Sequence, residues 1–121
     1  MCERTDLQFI HDIMESVTAA RDFVIGYDFE SFSIERKTKS ATIRELEIIG
    51  EASSRISSEK KNAYPDVPWR LLKDFRNVLS HEYFGVNNEI VWDIVQNKLP
   101  QLQKLIEEII NLELSGDKGR S

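Results

Sequence analysis

The chain has 121 residues, 40% of them hydrophobic and 31% charged, with five glycines, three prolines and a formal net charge of −5. That is long enough for one domain with its own core, too short for two, and too apolar for a disordered chain. The acidic balance, with a pI near 5.1, excludes a protein that grips nucleic acid through bulk positive charge and leaves only a local basic groove for that purpose.

From Thr5, apolar residues recur as Leu7, Ile10, Ile13, Met14, Val17, Ala20 and Val24. This helical period, with Thr5 and Gln8 at capping-box spacing, predicts a first helix running to about Gly26. The segment YDFESFSIERKTKS (27–40) is less periodic and reads as a short helix or irregular connection, with Ser31 as a cap and a basic cluster at Arg36, Lys37 and Lys39. Between Ala41 and Ser58 the residues Ile43, Leu46, Ile49, Gly50, Ser53 and Ile56 fall on one face of a second helix. Glycine costs about 1 kcal/mol against alanine inside a helix, so Gly50 on the packing face points to a close helix contact. Arg44, Glu47, Glu51 and Arg55 form a separate charged stripe, which spacing alone explains as a solvated ladder of ion pairs.

The run EKKNAYPDVP is predicted to be a connection, with Pro68 in the first turn of a third helix and Asp66 or Val67 near its cap. Trp69, Leu72, Phe75, Leu79 and Tyr83 line one side of that helix. Phe84-Gly85-Val86-Asn87-Asn88 supplies a turn, with glycine as the stop and asparagine as the next cap. A fourth helix, from Glu89 to about Leu114, carries Ile90, Val91, Ile94, Val95, Leu99, Leu102, Leu105, Ile106, Ile109 and Ile110. Pro100 is expected to kink or split it. No stretch has the period of two that a strand requires. The predicted architecture is all-α, an antiparallel four-helix bundle with a short extra helix between helices one and two. One domain spans 1–114, followed by a flexible tail over 115–121.

Cys2 is the only cysteine, which rules out an intrachain disulfide, and no basic-then-apolar leader opens the chain; both features point to the cytoplasm. No apolar run approaches the roughly 20 residues that span a bilayer. With two histidines and one cysteine, neither a closed metal site within one chain nor a cofactor is expected.

The stretch RNVLSHEY (76–83) places Arg76, His81 and Tyr83 in a largely apolar setting. Along a continuous helix His81 would lie about 140° round from Arg76, so the two converge only if the third helix ends near His81. Two readings fit. His81 can be a structural histidine, Arg76 an ion-pairing surface residue and Tyr83 an aromatic closing the bundle. The same set also combines a group that titrates near neutrality with a permanent cation, which proton transfer and phosphate charge stabilisation require. His11, between Ile10 and Asp12, has no such company.

Arg76-Asn77 followed by His81-x-Tyr83 resembles the R-x(4)-H-x-Y motif of the HepT-like branch of the HEPN superfamily. IRELEIIGEASSRIS, YPDVPWRLLKDFRNVLSHEYFGVN and EIVWDIVQNKLP resemble successive blocks of that family in order, over roughly Leu7 to Ile109. The resemblance implies a HEPN-like helical bundle that dimerises and acts as a metal-independent RNA endonuclease, the toxin of a toxin–antitoxin pair. Its implied partner is an MntA-like minimal nucleotidyltransferase antitoxin, which silences such toxins by attaching AMP to the motif tyrosine. Carried onto this sequence, Arg76 and His81 are catalytic, Tyr83 is the AMP acceptor, and Arg44, Glu47, Glu51 and Asn77 line the groove. An alternative within the same family is a non-catalytic subunit that binds a nucleotide or presents substrate to the nucleotidyltransferase.

Overall fold

A computed structural model describes residues 4–80 and 87–119, and the side chains of 4–76 and 87–115. All regular elements among the described residues are helical, and none is a strand. They are α1 (Asp6–Phe23), α2 (Phe29–Ile34), α3 (Arg36–Ser54), α4 (Ser58–Ala63), α5 (Trp69–Ser80), α6 (Asn88–Asp93), a π-helical turn (Ile94–Lys98) and α7 (Leu99–Gly119). The all-α class expected from the pattern is the class observed. None of the described helices is long and apolar enough to cross a membrane.

The first helix begins as its capping box predicts. Thr5 Oγ1 accepts from the Gln8 backbone N–H at 3.2 Å, and Gln8 Oε1 accepts from the Thr5 N–H at 2.8 Å. It ends before Gly26, whose φ of 85° is open to glycine at little cost and turns the chain toward α2. In the segment that follows, Asp28 is the cap and not Ser31. Asp28 accepts from the Ser31 N–H, and the Ser31 hydroxyl meets the Asp28 N–H in return.

Helix α3 starts at Arg36, five residues before the expected Ala41, and ends at Ser54 instead of Ser58. A basic first turn opposes the helix dipole, and no side chain caps it. Tertiary contacts hold it instead: Lys39 Nζ donates to the Ser33 carbonyl at 3.0 Å, and the Tyr27 and Thr38 hydroxyls lie 3.1 Å apart. The connection before α5 contains a further helix, α4, capped by Ser57. Its docking partners lie far away in sequence: Asp6 accepts from the Ser57 N–H and hydroxyl, and Lys60 pairs with Glu113 of α7.

Pro100 acts on the fourth predicted helix through hydrogen-bond bookkeeping. Proline has no N–H to return to the carbonyl four residues back, and the turn just before it widens to π geometry, with the Leu99 N–H reaching Ile94 O. The expected kink is therefore a π turn between α6 and α7. Asn87 caps α6 as predicted, its side chain accepting from the Glu89 and Ile90 N–H groups. The segment read as a tail is helical as far as Gly119; Gly116 weakens a helix without removing a hydrogen bond, so the ladder continues through it.

α1 packs on α3 and α7, and α3 on α5. Ile10, Ile13, Val17, Ala20, Leu46, Ile49, Leu72, Phe75, Leu99, Ile106 and Ile109 form the centre of the core. Ile90, expected inside, is 43% exposed, whereas Phe32 of the short α2 is fully buried and packs on Trp92 with ring centroids 5.2 Å apart.

Candidate functional site

Where α3 crosses α5, a β-carbon added at Gly50 would stand 2.8 Å from Arg76 Cβ, 2.9 Å from Arg76 N and 3.1 Å from Leu72 O. These are contacts with backbone and a β-carbon, which cannot swing aside. The absence of a side chain at Gly50 thus lets α5 approach α3 at the position of Arg76. The packing role expected for Gly50 is the one observed, and its direct neighbour is the motif arginine.

One residue further along α3, Glu51 faces two arginines. Its Oε1 accepts from Arg55 Nη2 at 3.1 Å, and its Oε2 lies 3.7 Å from Arg76 Nε. The second distance is an ion pair and not a hydrogen bond. Arg44 and Glu47 pair one turn earlier at 3.3 Å. The ladder read from spacing therefore exists, and its members are partly to well exposed. Exposed pairs of this kind contribute little to stability, about 0–1 kcal/mol each. Their consequence is positional, since they hold cations along one wall of a groove.

That groove has a volume of about 620 Å³ and is open to solvent. α3 and its C-cap supply Arg44, Glu47, Ile48, Glu51, Ala52 and Arg55, α5 supplies Arg76, and the first turns of α1 supply Phe9 and Asp12, with Arg4 just before them. Four arginines face three carboxylates, a local excess of positive charge on a chain of net charge −5. Of the predicted site residues, Arg76, Arg44, Glu47 and Glu51 come together here. His81 and Tyr83 lie outside the described residues, and so does the side chain of Asn77. Arg36, Lys37 and Lys39 are not among the residues that line this groove.

The α1 wall was not foreseen from the sequence. Arg4 Nη2 donates to both carboxylate oxygens of Asp12, at 2.8 and 2.7 Å, and the Arg4 guanidinium lies over the Phe9 ring, 5.4 Å from its centroid. Arg4 precedes the helix, so helical spacing does not connect it with Asp12. The readable signal was the capping box at Thr5, which fixes the direction in which the chain enters α1.

The chain matches the sequence model of a family described as "Ribonuclease HepT-like" over residues 13–109. It is 43% identical over 113 residues to a Methanocaldococcus jannaschii protein named "Putative RNase", covering 93% of each chain. It is 36% identical over 107 residues to the "Probable ribonuclease HepT" of Thermococcus cleftensis, covering 88% of this chain and 97% of that one. A Caldanaerobacter subterraneus protein, also named "Putative RNase", is 34% identical over 110 residues, 91% of this chain and 98% of its own. No solved structure gives a significant match.

Proposed function

Since the chain belongs to the ribonuclease HepT-like family, we propose that it is a metal-independent RNA endonuclease whose catalytic residues are Arg76 and His81. The observation that supports this reading most is the seat of Arg76. Backbone contact with Gly50 and the charge of Glu51 hold it at the edge of an arginine-lined groove, where a guanidinium can meet a phosphate.

In the reaction, a ribose 2′-OH attacks the adjacent phosphorus, the bond from phosphorus to the 5′-oxygen breaks, and a 2′,3′-cyclic phosphate and a 5′-hydroxyl form. His81 takes the proton of the 2′-OH, and a second group returns one to the 5′-oxygen. Arg76 stabilises the negative charge that builds on the non-bridging oxygens. Its Nε lies 3.7 Å from Glu51 Oε2, a charge that helps to hold the guanidinium beside the groove. One motif histidine per chain is few for both proton transfers, and a homodimer that brings two RNVLSHEY segments to one groove supplies the second.

In the cell this activity is that of a toxin paired with an MntA-like nucleotidyltransferase antitoxin. AMP attached to Tyr83 sets a bulky anion beside Arg76, blocks RNA by size and by charge, and leaves the fold intact. Cleavage by purified protein in excess EDTA, on RNA and on the same strand with 2′-deoxyribose at the scissile position, tests the chemistry. RNA is expected to yield a cyclic phosphate while the deoxy strand survives. Cleavage of the deoxy strand excludes 2′-OH attack, and no cleavage of either favours the nucleotide-binding or substrate-presenting subunit.

A further inference from the structure

The α1 wall of the groove is more ordered than an entry segment needs to be. Arg4 is a long side chain at the surface, 51% exposed, yet three interactions define its position. The Phe9 ring lies beneath its guanidinium, both Asp12 oxygens accept from one terminal nitrogen, and the Gln8 carbonyl lies 3.5 Å from that nitrogen. An exposed arginine ordinarily samples many rotamers, and these contacts already restrict that freedom. Phe9 in turn packs against the core, so the platform rests on the rigid part of α1.

A planar cation backed by an aromatic ring is a stacking surface for nucleobases, which pair with guanidinium planes as well as with aromatic rings and do so with little sequence preference. The same groove is lined by Arg44 of α3, Arg55 at its C-cap and Arg76 of α5, together with the apolar Ile48 and Ala52. This combines cations for phosphates with a flat surface for a base, the two parts of a single-strand site.

We propose that Arg4, backed by Phe9 and anchored by Asp12, is a nucleobase-stacking subsite for single-stranded RNA whose backbone runs along the arginines of α3 and α5. The proposal rests on the ribonuclease reading for the identity of the strand, and it adds where a base is held. Asp12 is a positioning residue: it fixes the plane of Arg4 and neutralises part of its charge, so the contribution of Arg4 is stacking more than attraction to phosphate.

Binding of a short single-stranded RNA that carries 2′-deoxyribose at the scissile position, followed by fluorescence anisotropy, tests this without any need for cleavage. A series of such strands has one abasic nucleotide moved along the sequence. Wild-type protein is expected to lose about tenfold in affinity when the abasic nucleotide reaches the subsite. Arg4→Lys keeps the charge and removes the plane; it should bind the unmodified strand about tenfold more weakly and show no further loss at that abasic position. Phe9→Leu, which preserves apolar packing while removing the ring, should do the same, with circular dichroism confirming its helix content. If Phe9→Leu fails to fold, Arg4→Lys alone decides, because its side chain is exposed. Wild-type affinity in Arg4→Lys overturns the proposal, as does unchanged sensitivity to every abasic position or an absence of RNA binding by wild type. Loss of self-association in Arg4→Lys with RNA binding intact also overturns it and assigns the α1 wall to a second copy of the chain. Cleavage of the all-ribose strand, together with binding that shows no abasic dependence, leaves the ribonuclease reading standing and removes only the subsite.

Discussion

Arg76 is 56% exposed and pairs with a carboxylate that is itself 46% exposed, so its loss opens no core cavity and disturbs only a surface ion pair. Stability should therefore fall by no more than about 1 kcal/mol in Arg76→Ala, while cleavage should fall by about 10²–10³-fold if this cation meets developing charge as proposed. Arg76→Lys restores a point charge without the planar fork and should recover only part of that loss. Thermal unfolding and kcat/KM measured on the same preparations separate the two effects; matching losses of stability and activity would return Arg76 to a structural role. Tyr83 has its own test in the modification reading. Incubation with the cognate nucleotidyltransferase and ATP should add AMP mass to the peptide that contains Tyr83 and silence cleavage, and Tyr83→Phe should abolish the labelling. Unchanged stoichiometry in that variant would place the acceptor elsewhere.

Between elements, the decisive contact is the crossing of α3 and α5. Helix propensity alone favours Gly50→Ala by about 1 kcal/mol, but the new methyl would sit 2.8 Å from Arg76 Cβ and 2.9 Å from its backbone nitrogen. Overpacking of that kind costs about 1–3 kcal/mol, so the steric term is expected to win. Urea unfolding of Gly50→Ala should show a net destabilisation, and cleavage should fall further than stability because α5 moves away from Glu51 with Arg76 on it. A more stable variant with full activity would show that α5 can shift without consequence. Elsewhere the same scale explains the departures from expectation. α3 begins early because contacts from Tyr27 and Ser33 outweigh a poor first turn, and Pro100 widens its helix without breaking it because a π turn absorbs the missing donor.

Across the molecule, α4 is fastened by charges that set a pH window. Burial raises the Asp6 carboxyl, but hydrogen bonds from the Ser57 hydroxyl and N–H, with Lys60 and Lys61 nearby, bring it below its ordinary value. A depressed carboxyl contributes stability above its unfolded value, near 3.9, and loses it as pH falls through the folded value. Lys60 is raised by its hydrogen bond to Glu113 against the opposing effect of burial, and Tyr64 is raised by burial and by the charge of Glu113. Groups raised in this way contribute below their unfolded values and lose their contribution as pH rises through the folded ones. The fastening should thus hold from about pH 4 to about pH 10 and loosen on either side. Asp6→Asn is expected to be less stable than wild type at pH 7, with the gap narrowing at pH 2–3, as read from urea midpoints. An equal gap at both pH values would show that the Asp6 charge is not the cause.

Local patterns determined much of this protein. The capping box at Thr5, the apolar stripes of α1, α3 and α7, the Asn87 cap and the all-α class depend on interactions within a few residues, and those are written in consecutive positions. The charged stripe from Arg44 to Arg55 was legible for the same reason, as was the need for a small residue at Gly50, whereas the motif of Arg76, His81 and Tyr83 was legible only as a resemblance to a family, and its last two members lie outside the described residues. The tertiary structure alone decided what Gly50 touches, which carboxylate faces Arg76, and that Arg4, Phe9 and Asp12 complete the groove from another helix. It also decided that Phe32 is buried and that α4 is held by Asp6 and Glu113. These depend on the distance between segments dozens of residues apart, which packing of the whole chain sets and which no periodicity along the sequence records.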